Sequence, residues 1–159
     1  MEEYCFKQND NETFTIMGYK GDLETVEIPS VYHDQKVTIL FDSLFKGHKE
    51  IKRVIIPEGV EDIGGFLFDG CENLREVVLP QSLQNLWQYA FVRCSIEEIV
   101  IPDQVTTIPP YAFKDCRKLQ KIVLGKGIRK VRAHAFEGCD SLKEIVHEDG
   151  IVIPDEAFQ

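Results

Sequence analysis

The chain has 159 residues, of which 43% are hydrophobic and 28% are charged, and its formal net charge is −9. This length and composition suit a single folded domain with a hydrophobic core, and they exclude a disordered or collagen-like chain. The excess of acidic residues argues against nucleic acid and anionic membranes as partners, because both are bound through Lys and Arg.

The first residues predict a cap rather than a repeat. Two runs of β-strand composition, residues 4–6 and 13–17, flank the turn residues 8–11, so we expect an antiparallel hairpin. We place an N-terminal cap over residues 1–25 and repeats over residues 26–159, within one domain. No apolar run is long enough to span a bilayer, and the first residues lack the features of an export signal. We therefore expect no insertion into a membrane.

From residue 51 onward the chain repeats itself about every 23 residues. Apolar residues recur in one pattern, which in one copy is Leu74, Val77 and Leu79 followed by Pro80. The copy that begins after Cys94 is one residue shorter. Such a period, with regularly spaced Leu, Ile and Val, is typical of leucine-rich repeats, in which each unit is a short strand and a return segment. Successive strands then form a parallel sheet, and we expect at most a turn of 3₁₀ or α-helix in each return segment.

A second marker lies between these blocks, where each copy has a Phe and most copies have a Cys three residues later. The residues are Phe45, Phe68, Phe91, Phe113, Phe136 and Phe158, with Cys71, Cys94, Cys116 and Cys139. The cysteines are too far apart for a Cys-x-x-Cys zinc site, and stacking would place them in a column. We interpret them as small buried residues that donate S–H bonds to neighbouring carbonyls, in preference to a strip of metal ligands. Cys5, outside the column, is expected to be the most reactive thiol.

Some positions depart from the repeat. The segment 31–36 contains an insertion in the first copy and is expected to form a protruding loop. His48 replaces the Cys, and His147 replaces a core Leu, which we interpret as irregularities satisfied by a hydrogen bond or placed near an end. Trp87 could belong to a binding surface, but with Tyr89 it is better interpreted as packing laterally between repeats.

The repeat resembles the BspA-like leucine-rich repeat family, whose units read roughly Ile-Pro-x-x-Val-x-x-Ile-Gly-x-x-Ala-Phe-x-x-Cys-x-x-Leu-x-x-Ile-x-Ile. In one copy these slots are filled by Pro102, Val105, Ile108, Ala112, Phe113, Cys116, Leu119, Ile122 and Leu124. The resemblance covers residues 26–158. It implies a repeat solenoid: a right-handed superhelix with a parallel concave β-sheet and little helix. It also implies protein–protein interaction, often adhesion by secreted or cell-surface proteins. If Met1 is the native start, a cytoplasmic scaffold or adaptor is the alternative.

The outward residues of the repeat strands form two columns across the predicted sheet. The charged column consists of Arg53, Glu76, Glu98, Lys121 and Glu144. The apolar column consists of Ile55, Val78, Val100, Val123 and Val146. A row of exposed apolar side chains commonly marks an interface, although β-branched residues also simply suit strands. We predict that a protein partner binds these columns.

Motifs for catalysis, cofactors and metals are missing from the sequence. The histidines His33, His48, His134 and His147 lie in no nucleophile motif, and no phosphate-binding loop or zinc signature occurs. We therefore predict a non-enzymatic protein without cofactor or metal, or a recognition fragment of a larger surface protein or enzyme. The last repeat stops in mid-unit, so Ile145, Ile151, Ile153 and Phe158 are expected near an exposed end. A longer array, an end blunted by polar residues 147–149, and an end-to-end homodimer are the alternatives.

Overall fold

The structure, a computed structural model, describes residues 2–159. In this part of the chain the strands are β1 (Glu3–Gln8), β2 (Phe14–Lys20), β3 (Thr25–Glu27), β4 (Val31–Tyr32), β5 (Gln35–Leu40), β6 (Arg53–Ile55), β7 (Asp62–Ile63), β8 (Glu76–Val78), β9 (Asn85–Leu86), β10 (Glu98–Val100), β11 (Thr107–Ile108), β12 (Lys121–Val123), β13 (Lys130–Val131) and β14 (Glu144–Val146). A 3₁₀ turn covers Asp155–Phe158. Residues 2–159 hold no helix with the length and hydrophobicity of a membrane span.

Each turn of the chain has three sides. The first is a three-residue strand, and these strands (β3, β6, β8, β10, β12 and β14) form the surface that we call sheet 1. The second is another strand, and these strands (β2, β5, β7, β9, β11 and β13) form sheet 2. It has seven residues in β2, six in β5 and two in each of the others. Paired repeat strands run parallel within both sheets. The third, the Phe side, is a series of hydrogen-bonded turns. The predicted leucine-rich solenoid with parallel strands and little helix is confirmed, whereas sheet 2 was not predicted.

Sheet 1 shows why the apolar pattern of the repeat specifies these strands. Because side chains alternate along a strand, the middle residue of each points inward and its two neighbours point outward. Val54, Val77, Ile99 and Ile122 are buried at the middle positions. A one-residue slip would turn these side chains to solvent, so the burial fixes the register between turns.

The Phe side stacks its rings along the core. Ring centroids of successive phenylalanines lie 5.7, 5.4, 5.0, 5.8 and 5.7 Å apart from Phe45 to Phe158. Turns tight enough to place them need residues with left-handed φ, such as Tyr89 at 62° and Arg93 at 59°. Backbone hydrogen bonds join this side from turn to turn; Phe91 N–H donates to Ala112 C=O at 2.9 Å. Only the last copy forms a 3₁₀ turn, within residues 2–159.

An N-terminal hairpin precedes the first complete turn, as predicted. Strand β1 pairs antiparallel with β2, and β2 pairs parallel with β5, so the hairpin adds β1 to the edge of sheet 2. The ring of Tyr19 lies 5.1 Å from that of Phe45, at the start of the phenylalanine stack. The cap therefore covers an end of the core that would otherwise face water.

The insertion at residues 31–36 is not the protruding loop that we predicted. Strand β4 pairs antiparallel with the start of β5, and the connecting residues His33 and Asp34 have φ of 49° and 62°. The ring of Tyr32 stacks on that of Phe6 at 3.8 Å. The insertion is therefore a second hairpin held against the cap, because the stacking of two half-buried aromatic rings stabilises it.

Both sheets are interrupted at the same place. Within residues 2–159 strand pairing stops between β8 and β10 in sheet 1, and between β9 and β11 in sheet 2. We call this boundary the junction. The Phe side continues across it, since Arg93 N–H donates to Lys114 C=O at 2.9 Å.

Two local causes explain the junction. In the turn before it, Arg75 N–H donates to Lys52 C=O at 2.9 Å, but in the copy that is one residue short Ser95 N–H donates to Leu74 C=O instead. This shift removes the ladder of sheet 1. In sheet 2, Pro109 occupies the repeat position that Gly64 and Arg132 occupy in other copies, where the backbone N–H donates to the preceding turn. Because proline has no N–H, that ladder bond cannot form.

The C-terminal turn is less covered than the others, as predicted. Ile145, Ile151 and Ile153 are half-buried, and Phe158 is 46% exposed. Val152 is 81% exposed. These side chains have a neighbouring turn on one side only.

Candidate functional site

The predicted binding residues lie on the outer surface of sheet 1. Strand register aligns Arg53 with Glu76 before the junction, and Glu98 with Lys121 and Glu144 after it. The apolar column runs beside them from Ile55 to Val146. Val78 is 39% exposed and Val100 is 59% exposed, while Ile55 and Val123 are half-buried. The two columns therefore exist, but the junction divides each of them.

Some carboxylates of the charged column lie close to a cation of the same column and others do not. Arg53 Nε lies 2.9 Å from Glu76 Oε2, at an angle that makes no hydrogen bond, and Lys121 Nζ lies 4.0 Å from Glu144 Oε2. Among residues 2–159 neither Glu98 nor its neighbour Glu97 has a cationic partner. The middle of the column is therefore negative.

The junction opens a cleft in sheet 1 with a volume of about 620 Å³, which we call the sheet-1 cleft. Val78 and Val100 line it together with Arg75, Glu76, Glu97 and Glu98. Backbone groups of β8 and β10 that would form the ladder are left unpaired with each other here. The cleft thus combines apolar side chains, carboxylates and backbone acceptors in one place.

The interpretation of the cysteine column is confirmed. Each of the four thiols is buried and donates to the carbonyl oxygen of a Phe one turn earlier, as Cys116 Sγ does to Phe91 O at 2.9 Å and Cys139 Sγ to Phe113 O at 3.0 Å. Burial raises the pKa of Cys71 and of Cys139 to about 12, and raises the pKa of Cys94 and Cys116 well above the ordinary thiol value. Such thiols stay protonated and unreactive at neutral pH. Cys5 is exposed.

The two histidines that depart from the repeat contact oxygen atoms close by in the chain. His48 Nδ1 contacts Glu50 Oε1 at 2.6 Å, and His147 is exposed with Nδ1 2.8 Å from Glu148 O. Both contacts fit the interpretation of these residues as irregular repeat positions. No group of three or more His, Cys, Asp or Glu side chains within residues 2–159 is arranged to hold a metal ion.

The aromatic residues of the third copy divide between two roles. Tyr89 packs laterally as predicted, with its ring centroid 4.6 Å from Phe66 and 4.8 Å from Tyr111. For Trp87 the prediction of lateral packing is wrong, because this side chain is 57% exposed. Trp87 lines a second cleft of about 250 Å³ at the junction, the sheet-2 cleft, together with Pro109, Pro110 and Arg132. This cleft was not predicted, although the adjacent prolines Pro109 and Pro110 were a signal for it.

Solved structures with the same fold include three bacterial repeat proteins. The leucine-rich repeat protein of T. pallidum is 25% identical, has a TM-score of 0.83, and is matched over 91% of this chain and 80% of its own. A leucine-rich cell surface protein of Faecalibacterium prausnitzii is 20% identical with a TM-score of 0.60, over 96% of this chain and 55% of its own. The pneumococcal vaccine antigen PcpA is 22% identical with a TM-score of 0.75, over 97% and 40%. The chain therefore spans about half or less of the last two.

No curated protein is significantly similar to the chain in sequence. The BspA-type leucine-rich repeat region matches residues 38–159 in six copies, which is most of the chain. Leucine-rich repeat proteins generally serve as protein-interaction modules. The chain belongs to the family of BspA-type leucine-rich repeat proteins.

Proposed function

We propose that this chain is a non-enzymatic protein-binding module whose partner contacts the charged and apolar columns of sheet 1. The apolar column is the observation that carries the proposal. Val78 and Val100 are exposed in the middle of the outer surface of sheet 1, and the charged column lies beside them. Contiguous exposed apolar area commonly marks an interface, and solenoids use their extended sheets for binding.

The sheet-1 cleft suggests the chemistry of the partner. Glu97 and Glu98 lack cationic partners within residues 2–159, and the net charge of the whole chain is −9. A segment with basic and apolar side chains would complement both features, since opposite charges speed association and favour the correct orientation. The proposed partner is thus a protein that presents such a segment.

Replacing Val78, Val100 and Val123 together with Lys is expected to abolish binding of the partner and leave the fold intact. The three side chains are exposed or half-buried on the outer surface, so their replacement places charge in the interface but not in the core. A pull-down with the unaltered protein identifies the partner, and titration calorimetry compares its affinity for the two proteins. Circular dichroism checks that the variant is folded.

A matched control carries the same three added charges elsewhere. Leu23, Val31 and Phe41 are exposed apolar residues outside the columns, at 42%, 54% and 45% exposure. Replacing these three with Lys should leave the affinity nearly unchanged. Equal loss of binding in both variants, or unaltered binding in the first, would contradict the proposal.

We further propose adhesion as the setting of this binding, in a protein that is secreted or located at the cell surface. One similar structure is described as a cell surface protein and another as a vaccine antigen, and both likenesses support the setting by analogy only. A cytoplasmic scaffold or adaptor is the alternative, as is a recognition fragment of a larger surface protein or enzyme. Surface labelling of intact source cells with a membrane-impermeant amine reagent would discriminate between these settings.

End-to-end homodimerisation through the C-terminal repeat is a further prediction for the isolated chain. Val152 and Phe158 are exposed there beside the half-buried Ile151 and Ile153. Association of two such ends would remove this apolar surface from water. Size-exclusion chromatography with light scattering is expected to show a dimer that Val152→Asp converts to a monomer. A monomer at high concentration of the unaltered chain would contradict the prediction.

A further inference from the structure

The sheet-2 cleft combines an exposed indole with polar groups. It lies between β9 and β11, where strand pairing is interrupted, and it has a volume of about 250 Å³. Trp87, Pro109 and Pro110 line it. Asn85 and Thr107 also line it. Flat apolar walls with convergent amide and hydroxyl groups are typical of a small-ligand site.

The interrupted ladder adds backbone hydrogen-bonding groups to the cleft. One turn earlier, Glu61 C=O accepts from the N–H groups of Gln84 and Asn85 at 2.8 and 3.0 Å. One turn later, Thr106 C=O accepts from Arg129 N–H at 2.7 Å. The equivalent acceptor at the junction is Gln84 C=O, which has no such strand partner among residues 2–159. A ligand in the cleft could therefore meet acceptors and donors at the same time.

Positive charge borders the cleft on one side. Arg129 and Lys130 lie one turn after Thr106 and Thr107, which line the cleft, and are aligned with them in the strand register. Arg132 lines the cleft itself. Within residues 2–159 none of these three cations has an acidic partner. On the other side the preceding turn carries the carboxylates of Glu61 and Asp62, and Asp62 accepts a hydrogen bond from Asn85 Nδ2 at 2.7 Å. A chain with a net charge of −9 thus presents a local basic patch beside its exposed tryptophan.

We propose that the sheet-2 cleft binds acidic saccharides. An indole face packs against the C–H face of a sugar ring, whose hydroxyl groups both donate and accept hydrogen bonds in the plane of the ring. This matches the mixture of amide, hydroxyl and backbone groups around Trp87. Arg132 is placed to hold a sugar carboxylate, and Arg129 and Lys130 extend the favourable field to the next acidic unit. The volume of the cleft accommodates about one sugar ring. The strands β9 and β11 at its edges have two residues each, which is too short for an extended acidic peptide to pair with, so a saccharide is favoured over a peptide.

Fluorescence gives a direct test, because Trp87 is the single tryptophan of the chain. Trigalacturonic acid and sialyllactose serve as acidic saccharides, fully methyl-esterified trigalacturonate as the uncharged match, and hexaglutamate as the acidic peptide. We expect a saturable change in Trp87 emission with the acidic saccharides, and about tenfold weaker binding of the methyl ester. Added NaCl should weaken binding of the acids but not of the ester.

Variants locate the site on the chain. Arg132→Gln is expected to weaken binding of trigalacturonate about tenfold, whereas Lys46→Gln, an exposed and unpaired cation on the first Phe side, should leave it unchanged. Calorimetry replaces fluorescence for Trp87→Ala, which should show no binding. The proposal is wrong if neither acidic saccharide gives a saturable change, if hexaglutamate binds as tightly, or if both Gln variants behave alike. This site lies on a different sheet from the protein-binding columns, so either proposal can fail alone.

Discussion

Phe91→Ala is expected to destabilise the protein by about 3–5 kcal/mol, the usual loss when a buried Phe is truncated. The Phe91 side chain is fully buried, and its ring lies between Phe68 at 5.4 Å and Phe113 at 5.0 Å. Truncation of Phe91 leaves a cavity between these two rings. The neighbouring turns hold both rings in place, so the core has little freedom to collapse into the cavity. Because the ordering of each turn depends on its neighbours, the loss should lower the whole unfolding transition. Urea unfolding followed by far-UV circular dichroism measures the change.

Phe158→Ala provides the matched control, since it is the same substitution at the same repeat position. Phe158 is 46% exposed, and among residues 2–159 its ring stacks on one other ring, that of Phe136 at 5.7 Å. We expect it to cost about 1 kcal/mol or less, because much of the ring already faces water. Similar losses in both variants would contradict the argument that the loss depends on burial of the ring between two neighbouring rings.

Alkaline pH is expected to unfold the protein through the cysteine column. Burial raises the pKa of Cys71 and Cys139 to about 12, and that of Cys94 and Cys116 in the same direction. The unfolded chain therefore releases these protons first. The stabilisation is complete below the ordinary thiol pKa of about 9 and is lost as the pH rises towards 12, at about 1.4 kcal/mol per pH unit for each thiol. Urea unfolding at a series of pH values from 7 upward measures the slope.

Single substitutions separate the thiols from the other groups that titrate in this range. Burial also raises the pKa of Tyr19 to about 12, so part of the loss does not come from cysteine. Cys116→Ala should reduce the slope by about 1.4 kcal/mol per pH unit. An unchanged slope in Cys116→Ala would show that this thiol titrates normally in the folded chain.

Much of sheet 1 could be predicted from the sequence because its constraints are local and repeated. Inward residues such as Val77 and Ile122 alternate with outward ones, and a fixed period places their counterparts in register. Sheet 2 could not be predicted in the same way. Its repeat strands, such as β9 and β11, have two residues each, too few for an alternation to appear.

The clefts depend on relations between turns that no single repeat contains. The shortened copy was visible in the sequence, but its effect lies in the switch of partner by Ser95. Pro109 looks like any loop proline until the register places it opposite a strand that needs its N–H. The exposure of Trp87 follows from the sheet-2 cleft at the junction. The repeat pattern does not show this cleft, so lateral packing was predicted for a side chain that is exposed.

The junction also decides how the molecule carries tension. When a solenoid is pulled along its axis, load passes between turns through the bonds that join them, and most turns share it over two strand ladders and the Phe side. Across the junction the backbone bonds of the Phe side and of Ser95 carry that load without either ladder. If the protein holds its partner under force, we expect the bonds at the junction to break first. The turns before the junction and the turns after it would then separate from each other while each set stays folded.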